Sequence, residues 1–231
     1  SVAIGYYAAR VATTAARTIA IGHQAGVALT TGDDNHAIGY SALSSCTTGF
    51  ANVAFGFSAG GSVTSGANNI LLGRNAGESG SPSGTITTGV DNVVLGDDNI
   101  GNLFCNDTSI SSSDERDKTD ITEFTQGLSW IESLKPVTYR WDRRTWYGTK
   151  EQPYGTPDGS KKKSRLHVGF LAQEALEVEK ANGYGNSNDD SLICNLTDDE
   201  MRLGIKYERI VPMLVNAIKE LSTKVKALEA G

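Results

Sequence analysis

A glycine recurs every seventeen residues through the first part of this 231-residue chain, and that spacing constrains the fold more than any other feature. Gly5, Gly22, Gly39, Gly56 and Gly73 keep the interval, and Gly96 follows after twenty-three, with an insertion around Glu78 to Ser83. Each glycine closes a three-residue apolar run: Val2-Ala3-Ile4, Ile19-Ala20-Ile21, His36-Ala37-Ile38, Val53-Ala54-Phe55, Ile70-Leu71-Leu72 and Val93-Val94-Leu95. A polar residue precedes every run (Ser1, Thr18, Asn35, Asn52, Asn69, Asn92). A second corner follows in phase at Thr31-Gly32, Thr48-Gly49, Ser65-Gly66 and Thr88-Gly89. One unit is therefore a short strand, a glycine turn, a small contact residue (Ala8, Ala25, Ala42, Ala59 or Ala76) and another turn. Such a unit cannot bury its apolar side alone, so neighbours must stack into a β-solenoid or β-roll. With so few large side chains, at about 1.5 to 3 kcal/mol per fully buried aliphatic residue, one copy gains little. Association of copies along an axis is expected to supply the rest, and a single-chain solenoid is the alternative.

The repeat stops after Gly101, and the chemistry of the chain changes with it. Residues 1–113 carry three basic residues (Arg10, Arg17, Arg74), seven acidic ones and no tryptophan, whereas residues 114–231 carry 18 basic and 20 acidic residues and all three tryptophans. Two objects are expected: a repeat shaft over 1–101 and a non-repeating domain over 114–231, joined by a serine- and asparagine-rich junction at 102–113. In the second object, Ile121, Phe124, Leu128, Ile131 and Leu134 recur at spacings of three and four. That predicts an amphipathic helix capped by Thr119, Asp120 or Thr122 and stopped by Pro136. Val137, Tyr139 and Trp141 alternate as on a half-buried strand. His167 to Gln173 reads as a strand entering a helix that continues to Lys180, and 182–190 as a polar loop. Near the end, Val211, Leu214, Ile218, Leu221, Val225 and Leu228 form a heptad seam. Branched residues at the first seam position with leucine at the second favour a dimer in a long coiled coil. Folding the helix back on its own domain is another way to cover the stripe.

At the boundary stands Ser111-Ser112-Ser113-Asp114-Glu115-Arg116-Asp117-Lys118. A hydroxyl and an amine this close suggest a nucleophile with its own base, the amine taking the hydroxyl proton while the oxygen attacks a carbonyl. The amine must first be neutral, which for a lysine means lowering its pKa by about 3, on the order of 4 kcal/mol, through burial or a nearby cation. Arg116 is one available cation. Residues five apart lie on opposite faces of a strand and roughly 140° apart on a helix, so a tight turn must unite Ser113 and Lys118, or the lysine comes from a second chain. A solvated linker with a helix cap explains the same residues without chemistry.

Four ordered blocks carry a resemblance: SSDERDKTDI, GLSWIESLKPVTYRW, HVGFLAQEALEV and YERIVPMLVNAIKEL. Together they resemble the auto-cleaving intramolecular chaperone domain, of the endosialidase type, found at the C-terminal end of phage tail fibres, tailspikes and neck appendages. The repeat units resemble the N-x-A-I-G-x-x-A heads of trimeric autotransporter adhesins and phage fibre shafts. The first resemblance implies a self-cleaving Ser113–Lys118 dyad flanked by Ser112, Asp114 and Arg116, and both imply a homotrimer, which here overrides the dimer preference of the seam. His167 and Glu174 are the remaining acid–base groups inside a block, as supports for Lys118 or as packing residues. The implied protein is the C-terminal part of a virion fibre, made in the host cytoplasm, whose chaperone domain is lost on maturation and whose partners are its own copies and a host-surface receptor. A receptor-binding tip or adhesin without chemistry is the alternative. The implied fold is a trimeric β-roll followed by an α+β domain ending in a long helix.

A net charge of −6 argues against nucleic acid as a partner. No segment is apolar for long enough to span a membrane, and no signal peptide opens the chain. The first residue falls inside a repeat, so the protein is expected to continue upstream. Cys46, Cys105 and Cys194 lie far apart without paired spacing, which predicts separate thiols rather than a disulfide framework or zinc site, and no metal or cofactor is expected. His23 reads as exposed; His36 interrupts an apolar position, either as an axial ring in a trimer or as a tolerated polar side chain. Lys161-Lys162-Lys163, in the turn-rich segment 143–165, reads as solvated, with phosphate contact as the lesser alternative.

Overall fold

The computed structural model describes residues 1–104, 113–149, 151–197 and 199–230; Cys105 and Ser112 lie outside them. The chain divides into two compact units: Ser1–Asn102 with Arg140–Arg165 and Thr197–Arg202, and Leu103–Tyr139 with Leu166–Leu196 and Leu203–Gly231.

In the first unit the six apolar runs are strands β1 (Val2–Ile4), β2 (Ile19–Ile21), β3 (His36–Ile38), β4 (Val53–Phe55), β5 (Ile70–Leu72) and β6 (Val93–Leu95). They pair in sequence order as one parallel sheet in strict register, Val2 beside Ile19, His36, Val53, Ile70 and Val93. This is a β-solenoid. The glycine spacing follows from its geometry: at Gly39 φ is +137°, and an added Cβ would lie 2.3 Å from the Gly56 carbonyl oxygen in the next coil. Only a residue without a side chain fits that stacked corner.

The middle residue of each strand from β2 onward points inward and is buried (Ala20, Ala37, Ala54, Leu71, Val94). Ala25, Ala42, Ala59 and Ala76 form the expected second row, and Leu29, Cys46, Val63 and Ile86 complete a third. The polar residues before β2 to β5 (Thr18, Asn35, Asn52, Asn69) are buried too, for a reason the repeat alone does not disclose. Asn35 Oδ1 accepts from the Asn52 amide (3.1 Å) and Nδ2 (3.0 Å), and Asn52 Oδ1 accepts from the Asn69 amide (3.1 Å) and Nδ2 (2.9 Å). Asn92 repeats the bonds on Asn69. Each side chain satisfies the backbone of the following coil, so the ladder keeps polar atoms inside without an unpaired group.

The flanking strand residues face outward. Val2, Ile4, Phe55, Ile70, Leu72, Val93 and Leu95 are exposed, and His36 lies half-buried in the same row. Beside them runs a stack of rings: His23, exposed as expected, lies 5.4 Å from Tyr6 and 5.0 Å from Tyr40, with Phe57 5.1 Å beyond.

The second unit is α+β. Helix α1 (Leu128–Ser133), hairpin strands β7 (Val137–Tyr139) and β8 (His167–Gly169), helix α2 (Ala172–Ala181), hairpin strands β9 (Cys194–Leu196) and β10 (Leu203–Ile205), and helix α3 (Val211–Glu229) follow in order. Its core closes on the fully buried Trp130, with Leu134, Ala175, Ile193, Ile210 and Met213. Buried Glu179 pins the loop after α2, accepting from Ser191 Oγ (2.7 Å), the Leu192 amide (2.8 Å) and the Ile193 amide.

One helix is shorter than its spacing predicts. Helical structure begins at Leu128, not near Ile121, and Ile121 is exposed. Side chains of α3 take the groups an earlier turn would use: Asn216 Nδ2 donates to the Phe124 (2.7 Å) and Gln126 (3.2 Å) carbonyls, and the Leu128 amide donates to Glu220 Oε1 (3.1 Å). Helix α3 packs on α1 through its other face, burying Met213 and Ala217. The heptad seam is left uncovered in the single chain, its six residues between 42 and 82% exposed.

Candidate active site

Ser113 and Lys118 are joined by one tight turn, one of the two arrangements their spacing allows. Asp114 is extended (φ −65°, ψ 131°), Glu115–Asp117 form a single 3₁₀ turn, and the Lys118 amide closes it on the Glu115 carbonyl. Asp114 caps that turn by accepting from the Arg116 amide at 3.0 Å. The result sets Lys118 Nζ 2.7 Å from Ser113 Oγ, donating to it.

Arg116 is not directed at the lysine. Its guanidinium forks onto Asp114, with Nε 3.0 Å from Oδ1 and Nη2 2.6 Å from Oδ2. The hydrogen bonds from Arg116 hold the Asp114 carboxyl below the usual carboxylate range, and Asp114 in turn raises the guanidinium. The pair thus cancels the charge that would otherwise face Lys118 and stiffens the turn. Ser113, Asp114, Arg116 and Lys118 are all exposed in the single chain. Water therefore reaches the amine, and the 2.7 Å separation is within the reach a general base needs of a hydroxyl.

The other candidates lie on neighbouring elements. His167, on β8, stacks on Tyr139 of β7 with ring centroids 5.4 Å apart. Glu174, in the first turn of α2, lines a groove of about 300 Å³ with Leu134, Phe170, Leu171, Ala175 and Val178. No hydrogen bond links Glu174 to Ser113 or Lys118 among the described residues.

Cys46 and Cys194 are free thiols, both buried. Burial pushes Cys46 up to about 11 and, with Glu179 adjacent, Cys194 up to about 12, which makes neither a nucleophile. Of the lysine cluster, Lys161 lies over the Tyr147 ring at 5.0 Å and Lys163 over the Trp146 ring at 4.9 Å. Among the described residues no group of three or more histidine, cysteine, aspartate or glutamate side chains is placed to hold a metal ion. Among them, too, no helix is long and apolar enough to cross a membrane.

The matched segment begins at the candidate nucleophile. Residues 113–184 match the family model described as chaperone of endosialidase. The match takes in the Ser113 turn, α1, the β7–β8 hairpin and α2. A match to this peptidase family implies self-cleaving activity in general and points to a chaperone role in a phage tail fibre, with association to the virion. A β-solenoid precedes the matched segment. Comparison with curated proteins and with solved structures gave no match.

Proposed function

We propose that this chain is the C-terminal part of a phage tail fibre or spike whose chaperone region gathers three copies, guides the β-solenoid shaft and then severs itself at Ser113 with Lys118 as base. The observation that carries this reading is the 2.7 Å approach of Lys118 Nζ to Ser113 Oγ across a single turn at the start of the endosialidase-chaperone segment.

The step balances within the chain. Ser113 Oγ adds to the Ser112 carbonyl as Lys118, neutral at that moment, takes the hydroxyl proton. The C–N bond breaks as the lysine returns the proton to the departing Ser113 amine, leaving an ester on Oγ. Water hydrolyses the ester, restores the hydroxyl and leaves two chains. Asp114 and Arg116 hold the turn, and His167 and Glu174 are candidate supports.

The exposure of the pair in one chain supplies the control. Another surface laid over the pair would remove water from it, and a desolvated amine gives up its proton more readily. Two apolar surfaces await partners: the seam of α3 and the outer row of the solenoid sheet. Association of three copies would cover both and set register before weak coils pair. Scission followed by loss of the C-terminal fragment would make folding irreversible in practice, because the fibre then lacks its template.

Intact-mass measurement tests the chemistry. The wild type is expected to give two fragments meeting at the Ser112–Ser113 bond, and Ser113→Ala and Lys118→Ala only the full chain. Wild type without fragments, or Ser113→Ala with them, rejects the reading and leaves a receptor-binding tip without chemistry.

A further inference from the structure

Two segments on the C-terminal side of Ser113 belong to the same compact unit as the shaft, and what holds them there is ionic and buried. Asp98, two residues past the last solenoid corner, has a side chain only 2% exposed. Arg202 meets it with Nη1 and Nη2, both at 3.0 Å, Arg143 Nη1 at 3.2 Å, and Thr145 Oγ1 at 2.5 Å. Arg202 Nη2 also donates to the Ser79 carbonyl at 2.6 Å, in the inserted coil.

A second acid works in the opposite direction. Asp199 Oδ2 accepts from the shaft's Thr85 amide at 2.9 Å and from Tyr154 Oη at 2.9 Å, while Oδ1 takes Thr197 Oγ1 and the Met201 amide. Burial works against the Asp199 charge, but these donors outweigh it and hold the carboxyl below its usual range. Asp98 of the shaft thus takes both arginines and Thr145 from the C-terminal segments, and Asp199 takes the Thr85 amide from the shaft alongside donors of its own side. Separating the two sides breaks these charge-assisted bonds together, since Arg143, Thr145 and Arg202 all meet the one Asp98 carboxylate. The last coil of a solenoid also needs a cover for its open end.

We propose that scission at Ser113 does not by itself free the C-terminal fragment: its segments 140–165 and 197–202 stay clasped to the last coil through Asp98 and Asp199, and release is a separate step that requires breaking this clasp. The inference rests on the self-cleavage reading for its biological setting. None of these contacts involves the severed bond, so the cut leaves every one of them in place. The C-terminal fragment then serves as a bound cap on the shaft until ionic conditions or a competing partner remove it.

The test makes the cut independently of the dyad. Full-length Lys118→Ala protein, with a specific protease site placed within 105–112 and a tag on residue 1, is cleaved and washed on a tag resin while the C-terminal fragment is followed. At about 50 mM salt the fragment is expected to stay bound, and at about 1 M to leave faster. Arg143→Gln with Arg202→Gln, both outside the repeat, is expected to shorten retention at least about tenfold. Thr145→Val, which removes one bond to Asp98, shortens it at least about twofold. Departure of the parent fragment on cutting overturns the proposal, as does unchanged retention in the double variant or, should that variant fail to fold, in Thr145→Val. Because the protease makes the cut, a wild type that never cleaves itself would reject the dyad and leave this result standing.

Discussion

The solenoid core is built from alanines and small aliphatics that occupy one place per coil, whereas the C-terminal core closes around one tryptophan and a set of residues brought from four elements. In the solenoid the repeated buried groups find their partners a coil away: Ala20 packs between strands at fixed register, and Asn52 satisfies a backbone amide seventeen residues on. Order there propagates, and so does any fault. In the C-terminal core, burial is concentrated, and Trp130 alone is larger than any residue of the solenoid core. A chain that must build a long regular shaft from weak units therefore gains from a compact neighbour able to fold around its own centre and hold the ends in register.

The largest expected effect sharpens that contrast from the compact side. Trp130→Ala should cost about 3 to 5 kcal/mol and unfold the C-terminal core. Denaturant unfolding followed by near-ultraviolet circular dichroism would show that loss, with a separate solenoid transition retained. If both transitions collapse together, the two cores are not independent. Next comes Gly39→Ala, which forces a side chain into a left-handed corner against the Gly56 carbonyl. It should cost about 3 kcal/mol, seen as loss of the solenoid transition with the environment of Trp130 unchanged. An unaltered melting curve would mean the coils do not stack as described.

Acid supplies the smallest effect. Burial opposes ionisation of Asp97 and Asp199, yet hydrogen bonds from the Asn99 amide and Arg74, and from Thr197 and Thr85, hold both carboxyls below their usual value. A depressed carboxyl stabilises the fold above its unfolded value, about 4, and that contribution is lost as pH falls through the folded one. The solenoid unit is therefore expected to hold its thermal midpoint from about pH 7 to pH 5 and to lose roughly 2 to 4 °C below about pH 4. A loss beginning above pH 5 would point to other groups.

Much of the shaft was legible because a seventeen-residue period puts equivalent residues in equivalent places, so the strands, the glycine corners and the second alanine row could be read off directly. The third row was not, since Leu29, Cys46, Val63 and Ile86 differ in kind and share only position. Spacing left either a turn between Ser113 and Lys118 or a lysine from a second chain, and within this chain the 3₁₀ turn joins them. It could not show Arg116 spent on Asp114, because either residue could have faced the lysine. Helix α1 was read too long because its apolar period runs on through residues whose carbonyls α3 claims. The clasp at Asp98 was invisible: its partners lie 45 and 104 residues away, and charged residues in turn-rich segments look solvated in one dimension.

The central claim couples assembly to scission, and the rate of self-cleavage tests it most directly. Leu214→Lys with Leu221→Lys places charges on the exposed seam, where they leave the single-chain fold intact but oppose association. Light scattering and cleavage would be followed together for this variant and the wild type over a range of protein concentration. The account predicts a wild type that assembles as three copies and is cut, and a variant that remains single and is cut at least about tenfold more slowly. A single-chain variant cleaving at the wild-type rate would contradict it.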